Sequence, residues 1–156
     1  MVTRRHSGFT LAELLVVVAV LGILLVAGMP SMAEFVRNQR LKSASFDLFS
    51  SLVFARNEAI TRNATVRVEP VSGYWTNGWT VKDAAGNLLR ELGAVPNVAI
   101  SLTPGTPAYI EFRGSGRLNA TAMPKFELSS TGSTAQTRCI KIDLSGRPTS
   151  TTAACT

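Results

Sequence analysis

The sequence predicts an α+β fold, one long amino-terminal helix followed by an antiparallel β-sheet domain, from three changes of pattern along its 156 residues. An apolar run over residues 14–29 is broken only by small residues. From Ser31 onward apolar residues recur at three- and four-residue steps, the spacing of one helix face. After Asn63 the period shortens to two, as in strands with one covered side. The helical and extended patterns are segregated along the chain rather than alternating, which favours α+β over a parallel α/β sheet.

As a helix, residues 9–29 span about 31 Å at about 1.5 Å per residue, enough to cross a bilayer core. Gly22, Gly28 and Pro30 interrupt this stretch, and such residues are tolerated in membrane helices where neighbours re-satisfy the backbone. In the amphipathic half Leu41, Ala44, Leu48, Leu52, Ala55 and Ala59 form an apolar stripe, widened by Phe35, Phe46, Phe49, Val53 and Ile60. Arg37, Asn38, Arg40, Lys42, Asp47, Arg56, Asn57 and Arg62 lie opposite. The expectation is one helix over residues 10–62, its first half in the membrane and its second half packed on a sheet, with Asn63 as the stop.

Residues 65–69 alternate, Pro70 ends them, and Ser72-Gly73 opens a turn. Residues 79–82 and 88–92 flank Asp83-Ala84-Ala85-Gly86-Asn87, a hairpin signal. Further strands are expected at 98–102, 109–112, 125–128 and 138–144, with turns at Gly114-Ser115-Gly116 and Ser145-Gly146. Trp79 reads as core filling.

Ahead of the apolar run stands Arg4-Arg5-His6-Ser7-Gly8-Phe9-Thr10-Leu11-Ala12-Glu13. A secretory signal places its cut after the apolar core; here the candidate cut precedes it. Gly8 to Glu13 resembles the processing motif of type IV pilins and type II secretion pseudopilins. The resemblance implies a prepilin leader over residues 1–8, cut after Gly8 by a membrane aspartic peptidase, and a mature chain beginning at N-methylated Phe9. It also makes residues 9–30 the transmembrane and assembly helix, with residues 31–63 and 64–156 together forming one periplasmic domain, and it marks Gly28-Met29-Pro30 as the place where the helix bends in a filament. Glu13 becomes the intramembrane acid that assembly turns on. A charge near mid-bilayer costs about 2.5–3.5 kcal/mol on insertion scales, so such a residue normally has a partner or a task. Two readings of Glu13 stand: neutralisation by the Phe9 amino group, its own or a neighbouring subunit's, and an acid tolerated in the first helical turn by the macrodipole.

The formal charge is +6, from 16 Lys and Arg against 10 Asp and Glu, and loss of Arg4 and Arg5 with the leader lowers it by two. Those arginines keep the amino terminus cytoplasmic by the positive-inside rule, leaving everything after about Pro30 in the periplasm. In that oxidising compartment Cys139 and Cys155 read as a disulfide pinning the C-terminal tail, against free thiols or a metal pair. His6 is the single histidine and would leave with the leader. The mature chain then has too few good zinc ligands and no Ser-His-Asp or Cys-His arrangement. Gly114-Ser115-Gly116 lacks the Lys-Ser/Thr element of a phosphate loop. The reading is of a protein that is not an enzyme, with no catalytic residues, no metal and no cofactor.

Residues 54–63, Val66-Arg67-Val68 and Asn77-Gly78-Trp79-Thr80-Val81 resemble the GspH/FimT branch of minor pilins and pseudopilins. Arg56, Glu58 and Ala59 match its helix-end pattern, and Gly78-Trp79 its second strand; Arg56 and Glu58 also fit a solvated helix surface with local charge pairing. The resemblance implies the type IV pilin fold and a minor pilin inserted at or near a pilus tip, with other pilins, the prepilin peptidase and the inner membrane as partners. Two alternatives accompany it: a type II secretion pseudopilin, and a competence pilin that binds DNA through a Gly-Arg-x-Arg pattern. Here Gly146-Arg147-Pro148-Thr149 keeps one arginine of that pattern, and Arg138, Lys141 and Arg147 are the candidate phosphate contacts, joined by Arg113, Arg117 and Lys125 if the loops converge. Asp143 and Glu127 dilute that patch, and the same residues fit an ordinary β-turn.

Overall fold

The computed structural model describes residues 9–104, 108–131 and 136–156. The expected leader over residues 1–8, Gly8 included, lies outside them. One helix, α1, covers Leu11–Arg62 and continues through Pro30. The chain divides into two compact units, Met1–Phe35 and Val36–Thr156. In the first unit the described residues contribute the amino-terminal part of α1, whose apolar side chains from Leu11 to Leu25 are exposed.

The second unit holds the rest of α1 and eight described strands: β1 (Val66–Pro70), β2 (Trp79–Asp83), β3 (Leu88–Leu92), β4 (Val98–Leu102), β5 (Ile110–Phe112), β6 (Lys125–Ser130), β7 (Thr137–Ile142) and β8 (Pro148–Thr151). Two 3-10 turns, Val71–Gly73 and Trp75–Asn77, link β1 to β2. The strands form two four-stranded antiparallel sheets, ordered β3-β2-β1-β5 and β4-β6-β7-β8. Seven strands agree in place with the sequence reading; β8 is additional, and division into two sheets refines the single sheet expected.

α1 stops where Asn63 takes a left-handed conformation, φ 49°. The Asn63 amide donates to the Ile60 carbonyl at 3.2 Å and the Ala64 amide to the Ala59 carbonyl at 3.1 Å. These are the paired bonds of a Schellman motif, and they satisfy carbonyls that the helix end leaves open.

Leu41, Ala44, Leu48, Leu52, Ala55 and Ala59 are all buried, as their spacing requires. They share one core with Val66, Val68, Trp79, Val81 and Phe112 from the first sheet and Phe126, Leu128, Ile140 and Ile142 from the second. Strand alternation delivers these residues, since every second side chain faces inward. Each fully buried aliphatic or aromatic side chain contributes about 1.5–3 kcal/mol. Trp79 is fully buried, in line with its expected role as core. Three residues expected to widen the helical stripe face water instead: Phe46 is 69% exposed, Phe35 63% and Ile60 44%.

Trp75 ties the sheets together from the second 3-10 turn. Its ring meets Phe126 of β6 edge-on at 4.7 Å between centroids and lies 6.5 Å from Trp79 of β2. Between them Gly78, at φ 98°, lets the chain pass the end of β3, for a Cβ there would collide with the Leu92 carbonyl oxygen. The Cys139–Cys155 disulfide forms, with Cα atoms 5.1 Å apart, and holds the tail against β7.

Candidate functional site

Thr10 and Glu13 close the first turn of α1 reciprocally. The Thr10 amide donates to Glu13 Oε2 at 2.9 Å, the Thr10 hydroxyl to the same oxygen at 2.8 Å, and the Glu13 amide to Thr10 Oγ1 at 3.3 Å. This is a capping box, which satisfies amides that the start of a helix leaves without partners. Glu13 therefore has a job within its own chain, and its side chain is exposed. Beyond it Leu11, Leu14, Leu15, Val18, Leu21, Leu24 and Leu25 each expose more than half of their surface. Contiguous apolar surface of this extent marks a protein or membrane contact. Among the described residues no helix is long and apolar enough to cross a membrane.

The basic residues singled out for phosphate contact do not share a face. Arg138 and Lys141 stand three apart in β7, and alternation sends them to opposite sides of the sheet. Arg138, in step with the buried Ile140 and Ile142, borders a cleft with Lys42, Phe46 and Phe49 of α1. Lys141, in step with Cys139, donates from Nζ to the Thr156 main-chain oxygen at 3.0 Å; Lys125 reaches the same oxygen at 2.8 Å. Arg147 is exposed at the end of the turn between β7 and β8. Arg113 donates to Asn119 Oδ1, at 3.0 Å from Nε.

The turn that carries Arg147 has a structural duty. The Gly146 amide donates to the Asp143 carbonyl and the Asp143 amide to the Arg147 carbonyl. The same two bonds recur around Gly116, between Arg113 and Arg117, and around Gly86, between Asp83 and Asn87. Gly146, at φ 81°, backs onto the Gly116 turn so closely that a Cβ would collide with the Gly116 carbonyl oxygen. Arg56 donates from Nε to that oxygen at 3.1 Å. Arg56 is thus a tie from helix to turn, whereas Glu58 makes a local pair with Arg62 at 2.7 Å. A hydrogen bond from the Ser145 hydroxyl, then one from the Arg147 amide, hold the Asp143 carboxyl below its ordinary range.

Sequence reasoning missed the polar lattice on the outer side of the first sheet. Arg67 and Glu111 face each other across β1 and β5 and pair at 2.8 Å, with the Arg67 guanidinium 4.1 Å above the Tyr109 ring. Burial pushes the Glu111 carboxyl up, but hydrogen bonds from Asn119 and Arg67 outweigh it and leave the group below its usual range. Lys82 pairs with Glu69 on neighbouring strands. The signal was the outward position of each residue in its strand, which names no partner until the pairing is known. Among the described residues no group of three or more His, Cys, Asp or Glu side chains is placed to hold a metal.

The long helix packed on antiparallel sheets is the type IV pilin-like fold. The chain belongs to the GspH family: the model described as type II transport protein GspH matches residues 44–146, more than half of the chain. A prokaryotic N-terminal methylation motif matches residues 3–29, which implies assembly into a pilus or pseudopilus. Among solved structures the type IV minor pilin FimU of Pseudomonas aeruginosa shares the fold at a TM-score of 0.63 and 22% identity, over 74% of this chain and 90% of that one. The minor pseudopilin EpsH from the type 2 secretion system of Vibrio cholerae does so at 0.57 and 13%, over 72% and 97%. The chain matches none of the curated proteins compared with it. With those two solved structures it shares the fold, and with the GspH family its sequence pattern.

Proposed function

We propose that the chain is a minor pilin of a type IV pilus, inserted at or near the filament tip to support assembly. The observation that carries this reading is the uncovered apolar face of α1 between Leu11 and Leu25, joined to a domain that buries its own core. Such a face needs lipid or sister helices around it. The prepilin peptidase cuts after Gly8, Phe9 is methylated, and residues 9–29 hold the subunit in the inner membrane with its β-domain in the periplasm until it enters the filament. Glu13 then exchanges its cap on Thr10 for an amino group of a neighbouring subunit, neutralising both charges as the helices pack. The family description and the likeness to EpsH support a second reading, a pseudopilin of type II secretion, with the same processing and packing chemistry. Phosphate contact by Arg138, Lys141 and Arg147 is not favoured, because those side chains are spread over two faces and a turn. Deletion of the gene, with pilus number, DNA uptake and protein secretion assayed separately, tests the assignment. Loss of pili alone is expected; loss of secretion alone would move the subunit to the pseudopilus.

A further inference from the structure

A cleft of about 480 Å³ opens between α1 and β8, lined by Lys42, Phe46, Phe49, Arg138, Thr149 and Ser150. Three observations give it a direction. Phe46 exposes 69% of its surface at the rim, an aromatic ring held in water. Lys42 and Arg138 supply two cations and no acid lines the cleft; neither cation has a hydrogen bond or ion pair among the described residues. By contrast Arg62, Arg67 and Lys82 are all paired. Finally, among the described residues β8 is an edge strand paired on one side only, by β7. Edge strands are usually blunted by charge, proline or a bulge. β8 has proline at its first position alone, followed by Thr149, Ser150 and Thr151, all exposed.

We propose that this cleft is a docking site for an extended acidic segment of another protein subunit, which adds a strand to the open edge of β8. Side chains alternate along such a strand, so an apolar residue lies on Phe46 and Phe49 while a carboxylate two positions away meets Lys42 and Arg138. Aromatic rings beside cations also suit single-stranded nucleic acid. The open edge decides between the two, because its alternating amides and carbonyls are matched by another peptide backbone and not by a chain of phosphates.

The test uses the full chain in neutral-detergent micelles and two capped octapeptides followed by fluorescence anisotropy: one repeats Thr-Val-Thr-Glu, which puts Val and Glu two positions apart on one strand face, and the other has Lys in place of Glu. The acidic peptide is expected to bind at least about tenfold more tightly than the basic one, the scale of two ion pairs across a partly wet cleft. Lys42→Glu with Arg138→Glu should invert the preference, and Lys42→Glu alone, on an exposed helical position, should lower it without risk to the fold. Amides of Thr149–Thr151 should gain protection from hydrogen exchange when the acidic peptide is bound. Equal binding of both peptides, indifference to the charge reversals, or unprotected β8 amides would overturn the proposal. So would tight binding of oligothymidine at the cleft in place of either peptide.

Discussion

The Trp75 ring stands edge-on to Phe126, with centroids 4.7 Å apart and planes at 78°. Trp75 comes from a 3-10 turn beside the first sheet and Phe126 from the second, so one indole joins two sheets that share no strand. Truncating Trp75 to Ala should destabilise the domain by about 3–5 kcal/mol, the range for a buried aromatic replaced by a small side chain. Chemical denaturation of the full chain in micelles measures this, and a loss below about 1 kcal/mol would deny Trp75 that role.

Gly146 and Gly86 form a matched pair. Both have positive φ, 81° and 84°, in turns with the same hydrogen bonds. A Cβ on Gly86 meets nothing, whereas one on Gly146 strikes the Gly116 carbonyl. Gly86→Ala should therefore lose about 1–2 kcal/mol, the strain of the left-handed conformation alone. Gly146→Ala should lose clearly more and break the bond from Arg56 to Gly116. Equal losses in denaturation midpoint would show that the Gly146 turn does not press on the Gly116 turn.

Replacing Cys139 and Cys155 with Ser should lower stability by about 3 kcal/mol, as the chain-entropy model gives for a loop of this length, closed here over a separation of 16. The tail should also lose its hydrogen bond from the Cys155 amide to Glu127. Denaturation with and without reductant measures the first effect, and proteolysis of the tail the second.

The turn aspartates predict how stability responds to acid. Side-chain and backbone hydrogen bonds from Asn87 lower the Asp83 carboxyl; the Ser145 hydroxyl, then the Arg147 amide, lower Asp143. Unfolded aspartate titrates near about 3.9. A depressed folded value means that the stabilisation is complete above that pH and is lost as pH falls through the folded values. Thermal midpoints should fall below about pH 4, and Asp83→Asn with Asp143→Asn should flatten that fall by lowering the midpoint at neutral pH towards its acid value. A wild-type acid limb retained in the double variant would contradict this.

Thr10 and Glu13 separate capping from assembly. Thr10→Ala removes the two capping-box bonds made by the hydroxyl but leaves the carboxylate, whereas Glu13→Ala removes the carboxylate and the two bonds it accepts. Both variants should reach the membrane, but only Glu13→Ala should fail to enter filaments, as read by immunoblot of sheared pili. Equal failure of the two would reduce Glu13 to a cap.

The helix was the most readable element. Steps of three and four from Leu41 to Ala59 named the buried stripe, and Asn63 named the stop. The same periodicity overreached at Phe35, Phe46 and Ile60, since spacing says which residues share a face and not how wide the cover over it is. β8 was missed because Pro148-Thr149-Ser150-Thr151 has no apolar alternation; it pairs through its turn and β7. The sheet division and the role of Trp75 depend on contacts distant in sequence, which local pattern does not encode. The separation of Arg138 from Lys141 was legible in principle, for an odd step in a strand changes face. The capping box was legible too, in Thr10 and Glu13 three residues apart.

The most direct test of the central claim is the intact mass and amino-terminal sequence of the subunit recovered from filaments. The expected product begins at N-methylated Phe9 and retains the entire apolar helix. A subunit still carrying residues 1–8, or one from which the helix has been removed, would contradict the assignment.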